Sequence, residues 1–310
     1  MPYQQLPRGI VSVLQTPFDG SGRIDKTALV RLVHHAIEGG VDGFLAPVVA
    51  SEVDMLTRPE RADFVHVVIN AIEKSSRHVP LIVGASSGDV EECVSYAADA
   101  EAVGASAYLV AVPAALYARS DEIVTFFRAV GAQSSLPLVV QDLQFSGPGM
   151  DIDTIRRLRD AVPTLVGLKV ETVPAGPKYT EAREAFGDEF WTAGGWAVPQ
   201  MIEALDRGVD AMIPESSMIP VYHAIDQAYR TGNRAQAISL FREILPVLSY
   251  TNQDLLTSIT FFKRLLVRKG IFRNEYVRKQ GFVCDRYNEC IADELIEHYL
   301  ALESKVGAAQ

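Results

Sequence analysis

Eight short runs of β-branched and other apolar residues alternate with longer amphipathic segments, from the first residues of the chain to beyond residue 225. Parallel sheets with crossover helices produce this alternation, because each strand is buried on both faces and each return to the same edge needs a helix. The pattern therefore predicts an α/β fold, and eight units match a (β/α)8 barrel. The runs occupy residues 10–14, 43–49, 81–84, 107–112, 137–140, 165–168, 190–193 and 211–213.

Turn sequences repeat between these units. Residues 40–43, 104–107 and 208–211 read Gly-Val-Asp-Gly, Gly-Ala-Ser-Ala and Gly-Val-Asp-Ala, and each would end a helix and lead into the next strand. Their recurrence favours a closed TIM barrel. The alternative is an open, doubly wound sheet, but the first strand is not followed by the Gly-x-Gly-x-x-Gly turn of nucleotide-binding sheets.

The chain beyond the eighth unit shows helical periodicity alone, over residues 233–305. Candidate helices cover residues 235–249, 253–269 and 292–304, and together they predict a C-terminal three-helix extension. We therefore expect two domains, a barrel over residues 1–230 and a helical bundle over residues 231–310.

Composition narrows the classes of partner. The formal net charge is -10 without a cluster of Lys or Arg, so binding to nucleic acid or to an anionic membrane is not expected. No stretch is apolar for long enough to span a bilayer and the N-terminus has no signal-peptide pattern, which predicts a cytoplasmic protein. Cys93, Cys284 and Cys290 are too scattered for a disulfide framework or a zinc site, so no metal is expected.

The sixth apolar run is followed directly by Lys169, the most reactive candidate residue, in the sequence Leu168-Lys169-Val170-Glu171. Functional groups of such barrels lie at the C-terminal ends of the strands, and period-two alternation puts Lys169 and Glu171 on one face. Desolvation at an apolar barrel mouth disfavours the ammonium form, and a free amine can attack a ketone to form a Schiff base without a cofactor. The alternative is a structural lysine that ends the strand and pairs with Glu171.

Several segments in order and spacing resemble the dihydrodipicolinate synthase/N-acetylneuraminate lyase family of class I aldolases, over nearly the whole chain. They are Gln15-Thr16-Pro17-Phe18-Asp19, residues 43–52, Leu56-Thr57-Arg58-Pro59-Glu60-Arg61, residues 136–140 and Gly167-Leu168-Lys169. The resemblance implies that Lys169 forms the Schiff base with a 2-keto acid, and that the chain assembles as a homotetramer or homodimer.

Other positions depart from that family's active site. Its carboxylate-binding Gly-Thr-Thr-Gly-Glu loop reads Val48-Val49-Ala50-Ser51-Glu52 here, and its Tyr-Asn pair after the fifth strand reads Gln141-Asp142. Gln141 cannot act as an acid or base, and alternation predicts that only one of these two neighbours faces inward. The family's tyrosine after the fourth strand has Tyr117 as a possible substitute, and its arginine falls at Ser146.

The remaining candidates belong to the same strand ends. We predict catalytic roles for Lys169, Asp142 and Gln141, with acid or base work by the carboxylates. Substrate-binding candidates are Val49, Ala50, Ser51, Glu52, Tyr117, Glu171, Gly194 and Ile213.

The sequence thus predicts a cofactor-independent lyase, an aldolase or a dehydratase, that acts on a 2-keto acid of sugar-derived type. Loss of the phenol and of the arginine argues against dihydrodipicolinate synthase itself. The alternative hypothesis is a barrel that has lost catalysis and binds a metabolite as a sensor or assembly partner.

Overall fold

Eight parallel strands close into a barrel in the order in which they follow one another along the chain, as the sequence predicts. The structure is a computed structural model that describes residues 6–196 and 198–308. A helix follows each strand, which is the TIM-barrel arrangement. The strands are β1 (Gly9–Val13), β2 (Gly43–Leu45), β3 (Leu81–Gly84), β4 (Ala107–Ala111), β5 (Leu138–Gln144), β6 (Leu165–Thr172), β7 (Trp191–Gly194) and β8 (Ala211–Met212).

Side chains cap the starts of several helices. The side chain of Asp25 accepts a hydrogen bond from the amide of Ala28, and Thr57 forms a capping box with Glu60, so amides of the first turn that lack a helical partner are satisfied. The helices are α1 (Lys26–Glu38), α2 (Arg58–Glu73), α3 (Val90–Ala102), α4 (Ser120–Gly131), α5 (Ile152–Ala161), α6 (Gly176–Phe186), α7 (Met201–Asp206), α8 (Ile219–Arg230), α9 (Arg234–Thr251), α10 (Leu255–Arg268) and α11 (Arg286–Ala308). Among the described residues, no helix is both long and apolar enough for a membrane span.

Three strands differ in length from the sequence prediction by more than one residue. β5 and β6 continue to Gln144 and Thr172, because their last polar residues stay paired in the ladder and the strand does not end where the apolar run ends. β2 stops at Leu45, and Val49–Ser51 form a 3-10 turn instead. Pro47 lies between them and has no amide hydrogen to donate to a sheet.

The chain forms two compact units. The first comprises the described residues up to Val11, Gly43–Ala46 and Pro80–Ile213, and it carries β2–β8 and α3–α7. The second comprises Ser12–Asp42, Pro47–Val79 and the residues from Pro214 onward, and it carries α1, α2 and α8–α11. Within the second unit α1 packs against α2, and α8 packs against α9 and α11. The domain boundary at residue 230 stays a prediction.

A buried ion pair organises the second unit. Lys263 on α10 donates to the carboxylate of Glu52, and both side chains are almost fully buried. The same lysine donates to the carbonyl of Tyr276 at 2.8 Å, while the amides of Arg278 and Lys279 donate to Glu52 at 2.8 and 3.1 Å. Burial lowers the pKa of Lys263 to about 8, against the opposing effect of Glu52. These bonds hold residues 276–279 and the turn after β2 to α10.

Replacement of Lys263 by methionine should lower the free energy of unfolding by about 3–5 kcal/mol, because it leaves the Glu52 carboxylate buried without its counter-ion. Arg264→Met is the matched control, since its pair with Asp293 is partly exposed and such pairs contribute about 0–1 kcal/mol. Chemical denaturation measures both, and the double variant Lys263→Met/Glu52→Gln should recover part of the loss. Equal stability of the two single variants would contradict the assignment.

Candidate active site

Lys169 lies in the middle of β6 with its side chain buried. Its Cα pairs with that of Gln141 on β5 and with that of Ala193 on β7. The lysine Nζ is 2.9 Å from Oε2 of Glu171, two residues further along the same strand. Neighbours in register point to the same side of a sheet, so Lys169, Glu171 and Gln141 share one face.

Glu171 is held from three sides. Its Oε2 accepts a hydrogen bond from Nε2 of Gln141 and pairs with Lys169, and its Oε1 accepts the backbone amide of Trp196 at 2.6 Å. The carboxylate is therefore fixed by neighbours from β5 and from the segment after β7. The carboxylate therefore accepts hydrogen bonds from a side-chain amide and a backbone amide beside its contact with the lysine.

Because Gly195 has no side chain, it leaves space for the carboxylate of Glu171 and the side chain of Lys169. A Cβ atom at this position would overlap Oε1 of Glu171 and would lie 2.6 Å from Cε of Lys169. The close approach therefore requires glycine. Gly194, the substrate-binding candidate from the sequence, precedes Gly195, and a Cβ there would meet the hydroxyl of Tyr179 on α6. Period-two alternation from Ala193 was the signal that points to Gly195.

Asp142 faces the opposite side of β5 from Gln141. Both of its carboxylate oxygens accept the amide of Met150 at 3.2 Å, and Nζ of Lys178 on α6 lies 3.9 Å away. Since the helices surround a barrel of this kind, Asp142 faces the helical layer, and the face of Lys169 and Gln141 is the inner one. The structure thus brings Gln141 to Lys169 and directs Asp142 away from it.

The environment of Asp142 changes its acidity. Burial raises the pKa of this carboxyl to about 6, although Lys178 and the Met150 amide oppose the shift. The hydroxyl of Tyr117 lies close by without reaching hydrogen-bond geometry, and burial together with the Asp142 charge raises the pKa of that phenol. Tyr117, whose side chain is partly exposed, therefore lies beside Asp142 and not beside Lys169.

The predicted carboxylate-binding segment lies in the second unit and makes its own hydrogen bonds. The hydroxyl of Ser51 donates to the carbonyl of Leu14 at 2.7 Å and accepts the amide of Val48 at 3.1 Å. Glu52, in left-handed backbone conformation with φ 56°, has both oxygens engaged by the Lys263 cluster. Val49 and Ala50 are partly exposed in the 3-10 turn.

Ile213 follows β8 in the first unit. Its side chain is buried, and its amide donates to the carbonyl of Gly194 at 2.7 Å. As for metal ions, no group of three or more His, Cys, Asp or Glu side chains suited to hold one occurs in the part of the chain that the structure describes.

Asp142→Asn should change how stability depends on pH. The folded protein retains the Asp142 proton up to a pKa of about 6, whereas the ordinary value is 3.8. The stability from this group is therefore present below pH 3.8 and is lost as the pH rises through about 6, a change of about 3 kcal/mol. The unfolding free energy of the wild type, relative to Asp142→Asn, should fall by that amount between pH 4 and 7 in denaturant titrations.

The exposed Asp153→Asn variant on α5 is the control for this measurement, and it should follow the wild-type curve. If the unfolding free energies of the wild type and Asp142→Asn changed with pH in parallel, the Asp142 carboxyl would have the same pKa in the folded and unfolded protein, and the prediction would be wrong.

Comparisons with known proteins agree on one family. The family model described as "Dihydrodipicolinate synthetase family" matches residues 6–281. A 4-hydroxy-tetrahydrodipicolinate synthase of Chelativorans sp. (strain BNC1) is 29% identical over 242 residues, which are 77% of this chain and 81% of that protein. The enzyme of the same name from Bartonella quintana (strain Toulouse) is 30% identical over 193 residues, 61% of this chain and 63% of its own length.

Solved structures show the same fold at lower identity. The 4-hydroxy-tetrahydrodipicolinate synthase of Methylacidiphilum fumariolicum SolV superposes with a TM-score of 0.86 at 22% identity, over 97% of this chain and 98% of that one. The sialic acid aldolase of Ruminococcus gnavus has the same TM-score at 16% identity, over 99% of this chain and all of that one.

Proposed function

This chain belongs to the dihydrodipicolinate synthetase family of class I aldolase-type lyases, and on that basis we propose that Lys169 forms a Schiff base with a 2-keto acid. The observation that carries the proposal is a buried lysine amine on the inner face of the barrel, 2.9 Å from the Glu171 carboxylate. An iminium at this position withdraws electrons from the neighbouring carbon. It supports C–C cleavage or formation, or loss of a β-hydroxyl, so the reaction is that of an aldolase or a dehydratase.

Proton transfer between the two side chains starts the reaction. The ammonium of Lys169 gives a proton to Glu171, and the resulting amine attacks the C2 carbonyl of the keto acid to form a carbinolamine. The protonated Glu171 then donates its proton to the carbinolamine hydroxyl, which leaves as water as the C=N bond forms. The carboxylate is regenerated, and the net products are the iminium and one water molecule.

Glu171 is the group best placed for this work. Gln141 stands where the family has its phenol, and its amide cannot donate or accept a proton at neutral pH. Asp142 is turned toward the helical layer and engaged by Met150 and Lys178. Among the described residues of the inner face of β5, β6 and β7, Lys169 and Glu171 are the ionisable ones.

The replaced groups set this activity apart from dihydrodipicolinate synthesis in our proposal. The resemblance assigns the substrate carboxylate to the segment Val48–Glu52, and that assignment stays a prediction, as do a sugar-derived keto acid and a homotetramer or homodimer. Gln141 has a different role from the family's phenol, since it orients the carboxylate of Glu171 through a hydrogen bond.

Borohydride reduction in the presence of pyruvate should add the mass of the reduced adduct at Lys169, as located by peptide mass spectrometry. Lys169→Ala should show no adduct. Lys178→Arg, which changes another buried lysine of the same unit, should still be modified at Lys169. Absence of an adduct across a panel of 2-keto acids would refute the proposal. Thermal stabilisation by a keto acid that persists in Lys169→Ala, without an adduct in the wild type, would favour a binding protein instead.

Glu171→Gln should slow the trapping of pyruvate by about 100-fold, because general acid–base catalysis contributes about 10²–10⁴-fold. The amide keeps the shape of the side chain, so the pyruvate concentration for half-saturation should change little. Asp142→Asn is the matched control, since it neutralises the neighbouring carboxylate on the other face. Slow trapping of pyruvate by Asp142→Asn, together with trapping by Glu171→Gln at the wild-type rate, would assign the acid–base role to Asp142 instead.

A further inference from the structure

Three apolar side chains extend beyond the Lys169–Glu171 pair, one after each of β5, β6 and β7. Phe145 is 45% exposed and Val173 52% exposed, and Trp196 is partly exposed. The rings of Phe145 and Trp196 meet edge to face, with their centroids 5.0 Å apart. We call Phe145, Val173 and Trp196 the apolar rim. Exposed apolar clusters of this kind mark binding surfaces more often than isolated exposed residues do.

The apolar rim is continuous with the reactive pair. The backbone amide of Trp196 donates to Glu171 at 2.6 Å, so the residue that carries the indole is bonded through its main chain to the carboxylate that pairs with Lys169. The amide of Val173 donates to the carbonyl of Gly147 at 3.0 Å, which ties the end of β6 to the loop that carries Phe145. These two bonds place the apolar rim next to the strand ends that carry the reactive pair.

Charges near the apolar rim disfavour an anionic extension. In residues 141–150, 169–175 and 193–196 the charged side chains are Asp142, Lys169 and Glu171. Asp142 faces the helical layer and Lys169 is used in the condensation, so a second substrate carboxylate would meet Glu171 and no free cation. Because Glu171 would repel a second carboxylate, this part of the substrate should be uncharged.

The chemistry of the apolar rim also disfavours a polyhydroxylated extension. Hydroxyl groups removed from water need hydrogen-bond partners, and among the side chains of the apolar rim only the indole N–H of Trp196 offers one. Flat or branched hydrocarbon groups instead gain contact area and favourable ring packing there. We infer that the keto acid carries an uncharged, apolar far end, aryl or branched alkyl, that packs on Phe145, Val173 and Trp196.

This inference rests on the proposed Schiff-base function and narrows its substrate class away from sugar acids. The test compares adduct formation at Lys169 by four 2-keto acids in the borohydride assay. Pyruvate has no far end, 2-oxo-4-phenylbutanoate has an aryl end, 2-oxoglutarate has a carboxylate end and 2-keto-3-deoxygluconate has a polyol end. Half-saturation by 2-oxo-4-phenylbutanoate should occur at a concentration about tenfold lower than by either of the last two.

Substitutions at Phe145 show whether the apolar rim causes this preference. Phe145→Ser should bring the ratio between the aryl and carboxylate acids close to one. Phe145→Arg should favour 2-oxoglutarate, because it adds the cation that these segments lack. Tyr287→Ser is the control, since it removes an aromatic ring that is 61% exposed on α11, and it should keep the wild-type ratio.

The outcomes separate this inference from the proposed function. Adducts with pyruvate but no preference for the aryl acid, or a preference that survives Phe145→Ser, overturn the inference and leave the Schiff base intact. A lower oligomeric state of Phe145→Ser with an unchanged preference would assign the apolar rim to contact between copies of the chain and overturn it too. Absence of adducts with all four acids refutes the proposed function, and the inference fails with it.

Discussion

The pair between Lys169 and Glu171, at 2.9 Å on one strand of the barrel, is the interaction on which the site depends. Both side chains are buried, so each needs the other as a counter-ion. The pairing requires β6 to continue through Thr172, because residues two apart share a face only while the chain stays extended. β5 supplies the Gln141 amide that orients the carboxylate, and the segment after β7 supplies the amide of Trp196.

Substitutions relative to the family pattern form a consistent set around this pair. A glutamate two residues after the lysine occupies space that the next segment must leave open, and Gly195 leaves it open. The resemblance places a phenol at the position of Gln141, whose amide cannot transfer protons, and in our proposal Glu171 is the acid–base group of the inner face. Phe145 and Trp196 add two aromatic rings in edge-to-face contact after β5 and β7.

Other polar residues that the sequence singles out have their own buried partners. Glu52 belongs to a cluster with Lys263 and the amides of Arg278 and Lys279, and its hydrogen-bonding capacity is used there. Asp142 joins the loop before α5 to α6 through Met150 and Lys178. A carboxylate near a strand end can thus serve the fold or the chemistry, and its partners decide which.

The sequence by itself determined the barrel, the helical extension and the candidate lysine, because burial patterns, caps and strand-end positions are local properties of the chain. Period-two alternation also placed Lys169 with Glu171 and separated Gln141 from Asp142. Only the tertiary structure decided which of those two faces inward. It also decided that Glu52 pairs with Lys263, 211 positions away. Alternation defines two faces but not which one is inside, and partners distant in sequence meet only when strands and helices have packed.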